Sequence, residues 1–250
     1  MVDLSKITRN GKAMYLAYDQ GLEHGPADLT GESLNPDYIL NLAAKGGFTA
    51  IILQKGVAEK YYGEFKNKVP LIVKLNGKTK LVQGEAFSPQ VCSVREAIEL
   101  GAAAVGYTIY LGSLYEQKMF REFGKIEEEA HKKGLPVIGW IYPRGKSIED
   151  DASPEITAYA ARAGLELGAD IVKIKYCGSE DCFKKAIQAA GKTKVVLSGG
   201  VKTENPEEFY EIVKNIMQAG AIGIAVGRNV WQRENALEVS ERLKKIIFNF

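Results

Sequence analysis

The strongest constraint on this chain is an alternation repeated eight times: a short apolar run of strand composition, then a longer segment with helical period. The runs are AMYLAYD (13–19), AIILQ (50–54), PLIVKLN (70–76), AAVGYTIY (103–110), LPVIGWIY (135–142), DIVKIKY (170–176), KVVLSGG (194–200) and IGIAVGR (222–228). The joint from helix into strand recurs as KGGFTAII, LGAAAVGY, LGADIVKI and AGAIGIAV, the mark of one structural unit used repeatedly. Strands separated by helices are joined by right-handed crossovers, which make neighbouring strands parallel. Eight such units in 250 residues match an α/β chain closed as a single-domain (β/α)8 TIM barrel spanning residues 1–250. A doubly wound open sheet is the other architecture this alternation allows.

Helix boundaries are written between the runs. Ser93-Val94-Arg95-Glu96 reads as a capping box, and Ser153 precedes Pro154 at the first position of another helix. In that helix Ile156, Tyr159, Ala160, Ala163 and Leu167 form one apolar stripe before Gly168 ends it. No Pro/Ser-rich linker or low-complexity stretch interrupts the pattern.

Composition narrows the function. The 33 Lys and Arg against 31 Asp and Glu leave a net charge of +2, too small to imply nucleic acid or an anionic membrane as partner. No apolar run approaches the ~18–20 residues of a membrane span, and MVDLSKITRNGK lacks the apolar centre of a signal peptide, so a cytoplasmic protein is expected. Three cysteines (Cys92, Cys177 and Cys182) without CxxC spacing argue against a disulfide framework and against a zinc site. With only His24 and His131, a three-histidine zinc centre is impossible within one chain, and no metal ligand set is expected.

In a barrel the chemistry gathers at the C-terminal ends of the strands. The sixth run is the most informative. In IVKIKY, Lys173 and Lys175 are two apart, so with Ile171 they share one face, while Val172, Ile174 and Tyr176 take the other. Strand lysines ordinarily snorkel or pair with carboxylates. Two of them aimed at a barrel interior instead suggest an amine whose pKa is lowered by burial and by a neighbouring cation, ready to attack a ketone and form a Schiff base. Lys175, nearer the strand's end, is the expected nucleophile, with Lys173 as its electrostatic neighbour.

The loops after the last two strands carry Ser198-Gly199-Gly200 and Gly227-Arg228. Free backbone N–H groups in these two adjacent loops, with an arginine, fit the usual phosphate position of a barrel, although glycine also serves plain turns. Tyr142 is either a general acid/base or a core aromatic with a satisfied hydroxyl. Arg144, just beyond Pro143, is a candidate anchor for a second anionic group. Asp19, Glu23 and His24 lie in AYDQGLEHGP, where turn chemistry competes with a role over the site. His131, in EEEAHKKG, reads as a solvated helix residue.

Taken in order, AYDQGLEHGP, KLNGKT, GYTIY, YPRG, ADIVKIKY, SGG and AVGRNVWQR resemble the archaeal-type class I fructose-1,6-bisphosphate aldolases, a group of DeoC-like Schiff-base aldolases. The likeness runs over residues 11 to 235. It implies a (β/α)8 barrel, a lyase without metal or cofactor, and a covalent imine between substrate and a lysine on the sixth strand, carried over to Lys175. It further implies Tyr142 as acid/base and Asp19 and His24 as substrate contacts, with Trp140 beside them. Ser198, Gly199, Gly200, Gly227 and Arg228 correspond to its phosphate cradle, and Arg144 to the arginine of YPRG. Gln20 departs from relatives with histidine there. The partners implied are a small sugar phosphate and further copies of the chain, in rings built from pentamers, often decamers.

The expected reaction is reversible retro-aldol cleavage of fructose 1,6-bisphosphate to dihydroxyacetone phosphate and glyceraldehyde 3-phosphate. Two alternatives stay open. One is a related transaldolase or lyase, such as 2-amino-3,7-dideoxy-D-threo-hept-6-ulosonate synthase, which shares YPRG and VGRN. The other is a non-catalytic phosphosugar-binding ring protein, against which the two inward lysines argue.

Overall fold

The structure, a computed structural model, describes residues 2–250. Eight parallel strands close on themselves in sequence order: β1 (Ala13–Ala17), β2 (Ala50–Gln54), β3 (Leu71–Lys74), β4 (Ala102–Leu111), β5 (Val137–Pro143), β6 (Ile171–Ile174), β7 (Lys194–Ser198) and β8 (Gly223–Val226). The last strand pairs back onto the first, with Tyr15 opposite Ala225, so no open edge remains and the doubly wound alternative is excluded. All eight runs read from the sequence are strands. Several end earlier than the apolar pattern suggests, and Asp19, Asn76, Lys175 and Gly199 lie just beyond their strands.

The helices that follow the strands are α1 (Gly21–His24), α2 (Pro36–Lys45), α3 (Lys55–Tyr61), α4 (Val94–Glu99), α5 (Glu116–Lys132), α6 (Pro154–Glu166), α7 (Glu180–Ala190), α8 (Pro206–Gln218), α9 (Arg228–Trp231) and α10 (Ala236–Phe248), of which the short α1 and α9 border the mouth of the barrel. Alternation along each strand divides the core in two. Ala13, Tyr15, Ile52, Ile72, Ile138, Ile171 and Val196 fill the barrel, while Met14, Leu16, Ile51, Val73, Val172 and Leu197 meet the helices. Burying both faces explains why the strands read as near-continuous apolar runs.

Local expectations held in part. Ser93 Oγ accepts from Glu96 N–H at 3.1 Å, but the reciprocal half of the capping box is not made. The Glu96 carboxylate instead accepts from Lys55 Nζ at 2.9 Å. Ser153 caps α6 with Pro154 at its start, and Gly168 leaves it with φ +87°, open to glycine without strain. Tyr159 is not part of the buried stripe: it is 64% exposed. The helix turns Thr157, Ala160, Ala161 and Gly164 inward instead, small residues that let Val172 approach closely. His131 is pinned between Glu127 at 2.7 Å and Asp170 at 2.9 Å, tying α5 to the start of β6.

The cysteine reading needs correction: Cys177 and Cys182 are joined in a disulfide, with Cα atoms 6.1 Å apart. The chain after β6 turns straight into α7, and that turn brings together residues five apart without a CxxC motif. Cys92 is buried and unpaired.

Candidate active site

A cavity of about 560 Å³ opens at the C-terminal ends of the strands, a size suited to a small ligand. Its floor is the Trp140 indole, pointing inward from β5. The ring has room because β4 carries glycine at the facing level: a Cβ on Gly106 would stand 1.7 Å from Trp140 Cζ3. Two lysines bracket this indole. Lys173 Nζ lies 5.1 Å from the ring centroid and Lys74 Nζ 5.2 Å, within reach of favourable cation–π attraction. Both side chains are buried.

Two buried ammoniums and one adjacent carboxylate leave an excess cation that the site resolves unequally. Asp19 Oδ2 accepts from Lys74 Nζ at 3.4 Å. Burial pushes the Asp19 carboxyl up, but Lys74 and then Lys173 outweigh it and hold the carboxyl below its ordinary range. Lys173 has no such close partner. Burial drives its amine down to about 8, and Lys74 adds to that fall against the opposing pull of Asp19 and Glu23. Lys74 is thus the lysine paired with Asp19, and the readily deprotonated amine is Lys173.

Lys175 sits differently. β6 ends at Ile174, so Lys175 is past the ladder. Its side chain, 30% exposed, is held by the Asp151 carboxylate from the loop before α6. Both lysines line the same cavity, yet only Lys173 joins the cluster with Trp140, Asp19 and Lys74. The sequence points to Lys175 as nucleophile and Lys173 as its neighbour; in the structure Lys173 lies in the buried cluster and Lys175 is paired with Asp151 at the rim.

Tyr142 follows Trp140 by two on β5 and faces the same cavity. Its hydroxyl lies 3.1 Å from Ser198 Oγ. Burial raises its phenol above the ordinary range, the Ser198 hydrogen bond opposes this, and the Asp19 charge adds to the rise. It is a protonated phenol able to hand a proton to, or receive one from, a substrate atom. Trp140 Nε1 and Thr108 Oγ1, both buried at the cavity wall, have no hydrogen-bond partner within the protein.

The glycine-rich ends of β7 and β8 do meet. Asn229 Nδ2 donates to Gly199 O and Val201 O, each at 2.8 Å, and Arg228 Nη2 donates to Gly200 O at 3.1 Å. The Gly199 N–H is not free as expected, since it donates to Ala225 O at 3.0 Å. Across the gap, Asp28 Oδ2 contacts both His24 Nδ1 at 2.5 Å and Arg228 Nη1 at 3.3 Å. That carboxylate ties the segment after β1 to the β8 end. Arg144, beyond β5, donates from Nη1 to Glu23 Oε1 at 2.7 Å.

The cavity thus gathers Asp19, His24, Trp140, Tyr142, Arg144, Lys173, Lys175, Ser198, Gly199, Gly200, Gly227 and Arg228, from the ends of five strands and the loops that follow them. Sequence reasoning gave no role to Lys74, Asp28 or Asp151. For Lys74 a signal existed, because it follows Ile72 by two and so shares the inward face of β3. Asp28 and Asp151 sit in charged loop segments that carry no periodicity. Among the described residues, no cluster of three His, Cys, Asp or Glu side chains is placed to hold a metal ion.

A readily deprotonated lysine at the bottom of a cavity rimmed by Arg144, Lys175 and Arg228 defines a barrel enzyme that works through an imine with a carbonyl substrate. The model of the DeoC/LacD family of aldolases matches residues 13–233, and the chain belongs to that family. It is 52% identical to the class 1 fructose-bisphosphate aldolase of Thermoproteus tenax, over 96% of this chain and 91% of that one. It is 40% identical to the fructose-bisphosphate aldolase/6-deoxy-5-ketofructose 1-phosphate synthase of Methanocaldococcus jannaschii, over 90% and 77%. Among solved structures it superposes with TM-score 0.95 on an archaeal fructose-1,6-bisphosphate aldolase whose catalytic lysine is covalently bound to the carbinolamine intermediate of its substrate. That match has 51% identity and covers 98% of this chain and 97% of the other.

Proposed function

We propose that the chain acts as one catalytic unit that reversibly cleaves fructose 1,6-bisphosphate to dihydroxyacetone phosphate and glyceraldehyde 3-phosphate, with Lys173 rather than Lys175 as the Schiff-base lysine. The observation that carries the assignment is the Lys173 amine, buried against Trp140 and lowered to about 8 while Lys74 keeps Asp19.

Lys173 Nζ adds to the C2 ketone, and loss of water leaves an iminium. Asp19, beside the amine, receives and returns protons during that dehydration. Tyr142 assists removal of the C4 hydroxyl proton; the C3–C4 bond breaks, its electron pair flows into the iminium, and glyceraldehyde 3-phosphate departs. Protonation of the resulting enamine at C3, from Tyr142, and hydrolysis by water release dihydroxyacetone phosphate and restore the amine. Ser198, Gly200, Gly227, Arg228 and His24 hold the phosphate next to the ketone, with Gly199 shaping the turn between them, and Arg144 the distant one. The reaction calls on no cofactor. Trp140 Nε1 supplies a further donor to the substrate.

The experiment is borohydride trapping with dihydroxyacetone phosphate, followed by peptide mass spectrometry, on wild type, Lys173→Met and Lys175→Met. The reduced adduct is expected on Lys173 and should survive Lys175→Met. An adduct on Lys175 would restore the opposite division of roles, and binding without any adduct would favour a non-catalytic phosphosugar protein. The Methanocaldococcus relative's second activity favours adding 6-deoxy-5-ketofructose 1-phosphate to the substrate panel.

The same reading includes a homo-oligomer, a pentamer-based ring or its decamer, working in the cytoplasm. Leu81, Val82 and Leu114, large apolar side chains each over three-quarters exposed, support burial against further copies. No helix among the described residues is long and apolar enough to cross a membrane. Light scattering checks the assembly.

A further inference from the structure

Arg144 stands on a loop, and a side chain with so many rotatable bonds is a poor anchor unless something holds it. Three contacts hold it here. Its Nη1 donates to Glu23 Oε1 at 2.7 Å, its guanidinium lies 5.1 Å from the Tyr110 ring centroid, and Tyr110 Oη donates to the same Glu23 Oε1 at 2.9 Å. Each member of this triangle touches the other two.

The members come from distant parts of the chain. Tyr110 is on β4, wholly buried, and acts as a fixed post. Glu23 is on α1, directly after β1, and β1 lies opposite β5 in the closed order of eight strands. To meet Arg144, Glu23 therefore reaches across the mouth of the barrel. A carboxylate so held, largely buried and bonded to a buried phenol, is part of the wall. Lys74 and Arg144 keep it ionised against the cost of burial. With Nη1 engaged by Glu23, the Nη2 and Nε donors of Arg144 remain for an oxyanion, and a stacked, clamped guanidinium presents them in one plane.

We infer that Glu23 and Tyr110 are positioning residues that fix Arg144 for the phosphate remote from the ketone, and so set the preference for a bisphosphate over a monophosphate substrate. The inference rests on the reading of Arg144 as that phosphate's anchor. Neither residue is bonded to the reacting amine, and the Glu23 charge reaches Lys173 only by raising its pKa, an influence that disappears once the pH exceeds about 9 and the amine is free. Their removal should therefore leave the handling of a substrate without the remote phosphate unchanged at about pH 9.5, above the Lys173 value of about 8.

The test is steady-state kinetics at about pH 9.5, where the Lys173 amine is already free whatever the charge at Glu23, with fructose 1,6-bisphosphate and with fructose 1-phosphate, on wild type, Glu23→Gln, Tyr110→Phe, the double variant and Arg144→Gln. For the bisphosphate, Glu23→Gln should raise KM by about ten- to hundredfold, the range expected from losing a charge-assisted hydrogen bond, with kcat little changed. For fructose 1-phosphate, kcat/KM should stay within about twofold of wild type, below the effect of a single ordinary hydrogen bond. Tyr110→Phe keeps the ring and should lose less, and the double variant should fall short of the product of the two single effects. A merely structural role would depress both substrates alike, which overturns the inference. A lower KM for the bisphosphate in Glu23→Gln also overturns it, since the carboxylate would then be a competitor for Arg144. Bisphosphate-selective loss in Arg144→Gln but not in Glu23→Gln refutes the positioning role alone. Its absence in Arg144→Gln removes the anchor reading and the inference with it.

Discussion

Replacing Lys74 by methionine tests the electrostatic logic of the site without touching the reacting amine. Lys173 at about 8 is unprotonated in roughly one molecule in ten at pH 7, whereas a lysine at its ordinary value is unprotonated in roughly one in 3,000. The advantage is about 300-fold in reactive amine. The groups facing Lys173 are Asp19 and Glu23 from the segment after β1, Lys74 from β3, and Trp140 and Tyr142 from β5. Of these, Lys74 lowers Lys173 directly and also occupies Asp19. In Lys74→Met the Asp19 carboxylate is left to Lys173, whose amine then rises toward the ordinary value. Imine formation at pH 7 should slow by about tenfold at least and by about 300-fold at the limit.

The assay is the rate of borohydride-trapped adduct with saturating dihydroxyacetone phosphate across pH 6 to 10. In wild type the rate should climb about tenfold per pH unit below 8 and then level, because only the unprotonated amine attacks. In Lys74→Met the plateau should move toward pH 10, with most of the lost rate recovered there. An unchanged plateau, with the variant folded and binding ligand, refutes the claim that Lys74 decides which lysine is the amine. Circular dichroism checks the fold, which should persist because Asp19 keeps a cationic neighbour in Lys173.

Three further expectations follow from the same geometry. Tyr142→Phe should retain the trapped adduct on Lys173 yet lose about 100-fold or more in turnover, the scale of a general acid/base contribution; an adduct without slowed turnover would remove Tyr142 from proton transfer. Gly106→Ala drives a methyl into the Trp140 ring and should cost about 1–3 kcal/mol, read by denaturant melts, together with a changed tryptophan fluorescence. Lys173→Met should stabilise the protein at pH 7 by up to about 3 kcal/mol. The folded pKa lies below the unfolded one, so the unfolded chain binds more protons between them, and wild-type stability rises with pH through that interval. The gain should therefore shrink above about pH 8, as thermal melts at pH 7 and pH 10 would show.

Much of the architecture was legible before any coordinates. Eight apolar runs buried on both faces can belong only to strands covered by helices, and their number and spacing match a barrel, with closure itself made by β8 pairing back onto β1. The period of two placed Ile171 and Lys173 on the inner face of β6, and the same rule applied to Ile72 would have placed Lys74 on the inner face of β3. Local signals failed where a residue had a tertiary alternative: Glu96 left its capping box for Lys55, and Tyr159 left its stripe because smaller residues fit the barrel wall.

The ranking of the two lysines was the chief matter beyond the sequence's reach. Periodicity says which way a side chain points only while the ladder lasts, and β6 ends one residue before Lys175. From there Asp151, 24 residues earlier in the chain, draws Lys175 to the rim. Asp19 and Lys74, 55 residues apart, meet only when β1 and β3 take their places in the ring. Strand direction and burial are properties of short segments, so the sequence alone determined the eightfold alternation of strand and helix and the inward face of the lysine strand. A pKa depends on charges that folding brings together from distant segments, and so only the tertiary structure decided which lysine is buried with Trp140, Asp19 and Lys74.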